Sequence, residues 1–101
     1  MEKIRITLPR KQIEDFCLRW KISEMALFGS VLSDEFRSDS DIDVLVSFKD
    51  DADWGLFDFV DMTDELKAIF GREVDLVEKD SLRNPFRRQR ILASNEVIYA
   101  A

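Results

Sequence analysis

Two short patterns in this sequence could carry chemistry. Asp41-Ile42-Asp43 begins a run rich in valine and isoleucine, Ile42 to Phe48, that reads as a strand. Side chains alternate along a strand, so Asp41 and Asp43 project from one face about one pleat repeat apart. At that spacing two carboxylates can bridge neighbouring metal ions. A third carboxylate, Asp75, lies between Val74 and Leu76 and points opposite to both. On an expected central strand it would be costly to bury without a partner or a metal ion. If the two strands are adjacent, the three carboxylates converge. The second pattern is Gly29-Ser30, separated from Asp41 by ten residues. At a strand-to-helix turn, Gly permits close backbone approach, the hydroxyl and helix-start amides can bond phosphate oxygens, and the helix dipole favours an anion. Together the two patterns predict a triphosphate and magnesium site.

Each pattern has a bland reading when taken singly. Gly-Ser before a helix can be a cap, and Asp-x-Asp at a strand edge can simply be solvated. Their joint spacing, with Asp75 as a third acid, is what sets them apart. The run from Asp39 to Asp43 also resembles the start of an EF-hand loop, but Val44 and Asp50 stand where that loop needs Gly and a bidentate Glu. The chain has no His and one Cys, which excludes histidine triads, histidine zinc sites and an internal disulfide. Chemistry must therefore run on carboxylates and cofactor.

The elements that must position these groups follow from periodicity. Residues 9–20 read as an amphipathic helix, with Ile13, Phe16, Cys17 and Trp20 on one stripe and Pro9 in the first turn. Cys17 reads as a core residue. Met25 to Phe28 is a short buried strand ended by Gly29-Ser30. Residues 55–70 form a helix marked by Leu56, Phe59, Val60, Leu66, Ile69 and Phe70, with Asp53 as N-cap and Gly71 as stop. Val74 to Val77 is a third strand, Asn84-Pro85 opens a basic helix, and Val97 to Tyr99 could close the sheet. The short link between the first two strands favours an antiparallel pair, and the long helix permits a parallel crossover to the third. The expected architecture is α/β or α+β: a small mixed sheet of about four strands covered by helices, in a single domain over 1–101.

The stretch LFGSVLSDEFRSDSDIDVLVSF, followed by EVDLVEKDSL, resembles the minimal nucleotidyltransferases of the DNA polymerase beta superfamily, from Leu27 to Tyr99. The resemblance implies a palm-like fold and transfer of AMP from ATP. It implies that Gly29 and Ser30 bind the triphosphate, that Asp41 and Asp43 bind two magnesium ions, and that Asp75 is a metal ligand or assists the attacking hydroxyl. Members of this size resemble antitoxins that pair with HEPN-domain ribonuclease toxins, and some of these antitoxins add AMP to a toxin tyrosine. The resemblance thus implies a HEPN partner. Many relatives carry a basic residue just after Gly-Ser, where this chain has Val31, and Arg37 could replace that charge.

Charge and aromatic content complete the reading. A net charge of −6, with 21 acids against 15 bases, makes nucleic acid an unlikely main partner. No apolar run could cross a bilayer and the start has no signal-peptide core, which predicts a cytoplasmic protein. Arg83, Arg87, Arg88 and Arg90 form the basic cluster, either a solvated helix face, a docking surface for an acidic partner through Arg87 and Arg88, or a triphosphate contact. Trp20, Trp54, Phe48 and Phe57 read as core or rim residues. Magnesium-dependent AMP transfer to a protein hydroxyl is the leading expectation. Its rivals are a non-catalytic module that neutralises its partner by contact, and transfer to a small molecule, which would need a dimer to build the cleft.

Overall fold

In a computed structural model, which describes Ile4 and residues 6–101, the elements run α1 (Arg10–Arg19), β1 (Ile22–Phe28), a 3-10 turn (Gly29–Leu32), β2 (Ile42–Phe48), α2 (Leu56–Phe70), β3 (Val74–Glu78), a second 3-10 turn (Lys79–Ser81), α3 (Pro85–Ala93) and β4 (Asn95–Ala100). The four strands form one mixed sheet in the order β3-β2-β1-β4. β1 is antiparallel to both β2 and β4, and β2 is parallel to β3 across the α2 connection. The expected α/β class, strand pairing and crossover are all present.

Alternation along the strands gives the sheet two faces with different cover. Ile42, Val44 and Val46 of β2, with Met25, Leu27 and Leu76, bury against Phe16 of α1 and Met62 and Leu66 of α2. The opposite face holds a smaller cluster, Ala26, Phe28 and Leu45 against Leu82, which follows the second 3-10 turn, and Ile91 of α3, so its cover is thinner. Burying each such side chain contributes about 1.5–3 kcal/mol. Asp41, Asp43 and Asp75 alternate out of the larger core and into this thinly covered face.

Several local expectations shift. Pro9 is the residue before α1 and not within its first turn; its carbonyl accepts the Ile13 N–H at 3.0 Å. β1 starts at Ile22 and β4 at Asn95, both longer than their apolar runs, because ladder pairing runs on through polar residues such as Glu24 and Glu96. Gly55, not Asp53, holds the N-cap position of α2, and the Asp58 carboxylate accepts its N–H at 2.9 Å. Gly71, with φ 67°, ends α2 as expected. Asn84 caps α3 by accepting the Phe86 and Arg87 N–H groups at 3.0 and 3.2 Å, with Pro85 at the first helical position.

Of the six residues that mark helix α2, Phe59, Leu66, Ile69 and Phe70 face the core and Leu56 and Val60 do not. Its inward residues are Phe59, Met62, Leu66, Ile69 and Phe70, whereas Leu56, Val60 and Phe57 are exposed. The spacing 59, 62, 66, 69 and 70 satisfies the helical period without them. Phe57 is thus neither core nor rim. Trp20 and Trp54 are rim residues: their rings meet edge to face at 5.0 Å, Trp54 Nε1 donates to the Trp20 carbonyl at 2.7 Å, and Trp20 Nε1 donates to Glu65 at 2.9 Å. Cys17 is buried, and burial pushes its thiol up to about 12. That keeps it protonated and inert, a packing residue.

Candidate functional site

The carboxylates meet through strand register. Asp43 on β2 is the direct partner of Asp75 on β3, and on its other side it is the partner of Phe28 on β1, the residue before Gly29. Asp41 is exposed one residue before β2 begins and shares the face of Asp43. β3 is an edge strand, which corrects the expectation of a central one, and the Asp75 side chain is 52% exposed. Asp75 therefore avoids the burial cost that its apolar neighbours suggested.

Asp43 carries the electrostatic load. Its carboxyl is pushed up from 3.8 to about 6, first by partial burial, then by the negative charges of Asp75 and Asp41, against the opposing pull of Arg87. A carboxylate held against its neighbours in this way is relieved by a cation. The donor set is all oxygen, the chemistry hard divalent ions require. Among the described residues, no three acidic or thiol groups are already closed into a metal-ligating cluster. Instead Arg87 Nη2 lies 3.8 Å from Asp75 Oδ2, supplying part of the positive charge.

Gly29 is fitted to Asp43. It has φ 78°, a backbone region that L residues rarely adopt, and a Cβ there would overlap Asp43 Oδ2 and lie 3.1 Å from its Cγ. The glycine turn and the carboxylate thus touch. Ser30 follows in the turn, and its carbonyl accepts from Ser33 N at 2.9 Å and Ser33 Oγ at 3.1 Å. The expected short helix is only the four-residue 3-10 turn Gly29–Leu32, so a helix dipole adds little and any phosphate contact falls to the amides and the hydroxyl.

Two clefts open beside this centre. One, of about 330 Å³, is lined by Phe28 and Gly29 on one side and by Arg87, Arg90 and Ile91 of α3 on the other. Arg87 and Arg90 make the α3 side cationic, facing the glycine turn. The second, of about 500 Å³, runs from Trp54 and Leu56 past Phe59 to Asp75 and Arg87. Arg87 lines both.

The basic cluster divides under this geometry. Arg87 reaches the carboxylates, while Arg88, expected to dock a partner beside it, is half-buried and donates to the Lys79 carbonyl at 3.0 Å. Arg37 is exposed in a separate depression with Ser33, Phe36 and Arg72. Sequence reading missed Arg72, which donates to the carbonyls of Arg37 (2.9 Å) and Ser40 (3.2 Å) and stacks over Phe36 at 4.4 Å. It pins the loop that delivers Asp41. No local pattern marks Arg72. Arg87 and Arg90 already stand in the basic cluster, with a triphosphate contact among its readings, and the short link after the third strand returns α3 over the carboxylate face.

Comparison with known proteins follows the same outline. The family model described as Nucleotidyltransferase domain matches residues 9–98. The protein adenylyltransferase MntA of Thermococcus cleftensis is 32% identical over 94 residues, 93% of this chain and 87% of that protein. A solved toxin-antitoxin complex with AMP-PNP superposes with a TM-score of 0.74 at 21% identity, covering 93% of this chain and 75% of the other. A complex of the tri-AMPylated HEPN toxin of Shewanella oneidensis with its MNT antitoxin gives a TM-score of 0.66 at 20% identity, covering 91% and 70%. At those identities the two structures carry the fold alone. Among the described residues no helix is long and apolar enough to cross a membrane.

Proposed function

Because the chain belongs to the nucleotidyltransferase domain family, whose members use a nucleotide substrate and generally a divalent metal ion, we propose that it is a magnesium-dependent protein adenylyltransferase that moves AMP from ATP to a hydroxyl of a HEPN-domain toxin, a tyrosine by preference, and so acts as its antitoxin. The observation that carries the reading is the register pair Asp43–Asp75, with Asp41 beside it and Gly29 against it, on the thinly covered face where Asp41 and Asp75 remain exposed.

In this reading Asp41, Asp43 and Asp75 hold two magnesium ions, which when bound neutralise triphosphate charge and make the acceptor hydroxyl more acidic. Gly29 lets the triphosphate approach the backbone, and Ser30 offers its hydroxyl to a phosphate oxygen. Arg87 and Arg90 wall the adjoining cleft and balance the charge of the polyphosphate. Asp75, exposed at the sheet edge beside the larger cleft, takes the proton of the acceptor hydroxyl. The acceptor oxygen bonds to the α-phosphorus, the bond from that phosphorus to the β-bridging oxygen breaks, and pyrophosphate leaves.

The test is the intact mass of a HEPN-domain toxin incubated with the chain, ATP and magnesium. A gain of one AMP unit per modified hydroxyl is expected, and no gain when magnesium is chelated. A toxin neutralised without any mass change would replace the enzyme with a binding module.

A further inference from the structure

The first turn of α2 presents apolar surface that the core does not use. Phe57 is 84% exposed, Leu56 77% and Val60 49%. Their spacing, three and four residues apart, gathers them on one side of the helix, away from the buried stripe of Met62 and Leu66. Contiguous exposed apolar side chains of this size mark contact surfaces on folded proteins. The patch is continuous with the larger cleft, which begins at Leu56 and ends at Asp75.

Its surroundings are acidic. Residues 50–64 contain Asp50, Asp51, Asp53, Asp58, Asp61 and Asp64 and neither Lys nor Arg. Asp51 is paired with Lys21 and Asp58 with the Gly55 N–H, but Asp61 and Asp64 are exposed one and two turns beyond Phe57. The smaller cleft is walled by Arg87 and Arg90. Arg87 lines both clefts, but Arg90 lines the smaller one alone while Asp75 and Glu78 line the larger one beside the acidic patch, so a polyphosphate is steered to the arginine side.

We propose that Leu56, Phe57 and Val60 form the docking surface for the acceptor protein, and that the surface takes a segment with apolar side chains flanked by Lys or Arg, whose hydroxyl enters the larger cleft at Asp75. The proposal rests on the transferase reading above. A second copy of this chain fits poorly, because a two-fold contact on this face would bring its acidic rims together.

The test titrates a purified HEPN-domain toxin, and separately AMP-PNP, into the parent and into Phe57→Asp. Toxin affinity is expected to fall at least about tenfold, with AMP-PNP affinity within about twofold of the parent. Asp61→Lys with Asp64→Lys should weaken toxin binding by a similar factor and reduce its salt dependence. Unchanged toxin affinity in Phe57→Asp overturns the proposal. So does a parent that is dimeric while Phe57→Asp is monomeric and binds toxin equally well, which assigns the face to a second copy. Toxin bound at this face without AMP transfer leaves the docking surface standing and overturns the transferase reading. A parent that binds AMP-PNP but no HEPN-domain toxin overturns the docking surface and leaves the nucleotide site.

Discussion

Gly29 and Asp43 occupy space that no larger pair could share: a Cβ on Gly29 would fall on the Asp43 carboxylate oxygen. Gly29→Ala should therefore act twice. Forcing a Cβ into the φ 78° region costs about 1–2 kcal/mol of stability, read as a lowered Tm. Displacing Asp43 should also reduce AMP transfer by at least about a hundredfold. The stability loss should shrink in the Asp43→Ala background, and an equal loss there would place the whole effect in the backbone.

Removing charge should separate activity from stability. Asp41→Asn and Asp43→Asn should abolish transfer while apo Tm stays equal or rises, since mutual repulsion falls. Magnesium should raise the Tm of the parent by mass action and not that of the variants. Transfer surviving both substitutions would sink the proposed mechanism.

The raised Asp43 carboxyl sets a pH dependence with a definite sign. Between about 3.8 and about 6 the native chain keeps a proton that the unfolded chain has lost. Asp43 therefore favours folding at the low end of that window, and the contribution is lost as pH rises through about 6. Thermal melts in a chelator should show this decline, and Asp43→Asn should flatten it. Magnesium affinity should run the other way, weakening below about pH 6 as the proton competes for the oxygen.

Arg87 and Arg88, adjacent in sequence, should fail differently. Arg87→Gln should raise the KM for ATP with little change in Tm, because its guanidinium is half-exposed beside Asp75 at 3.8 Å. Arg88→Gln removes the donor to the Lys79 carbonyl, so Tm should fall by the equivalent of about 1 kcal/mol with KM nearly unchanged. Matching phenotypes would contradict this division.

Ser30→Ala should leave Tm near the parent value, since the hydrogen bonds at Ser30 run through its carbonyl, which the substitution keeps. The KM for ATP should rise a few-fold. Steady-state kinetics against ATP concentration reads it.

The strands and the carboxylate face were legible because period-two alternation and the valine-rich runs are local signals. Asp41, Asp43 and Asp75 share a face for that reason, and Gly29-Ser30 ends its strand as read. What sequence could not supply was lateral order. Val74 to Val77 reads as a buried run, yet β3 lies at the edge, because strand order depends on which β-strand β1 pairs with on its far side. Leu56, Phe57 and Val60 are apolar without being core, and hydrophobicity alone cannot tell an apolar residue that faces inward from one left exposed. For Arg87 the sequence leaves a solvated face, a docking surface and a triphosphate contact open, because its contact with Asp75 joins residues twelve apart in the chain.

Asp43 is a register partner of both Phe28 and Asp75, so the same pairing that builds the sheet also assembles the acids. Slipping either ladder by one residue would turn Asp43 or its neighbour to the opposite face. Tolerance to length change should accordingly be uneven. The loop over residues 33–36 can gain or lose residues while Arg72 still grips the Arg37 and Ser40 carbonyls that follow it, whereas a single insertion within Ile42–Phe48 would separate the acids even if the chain still folded. Length is therefore a free variable in that loop and a fixed one inside the strand.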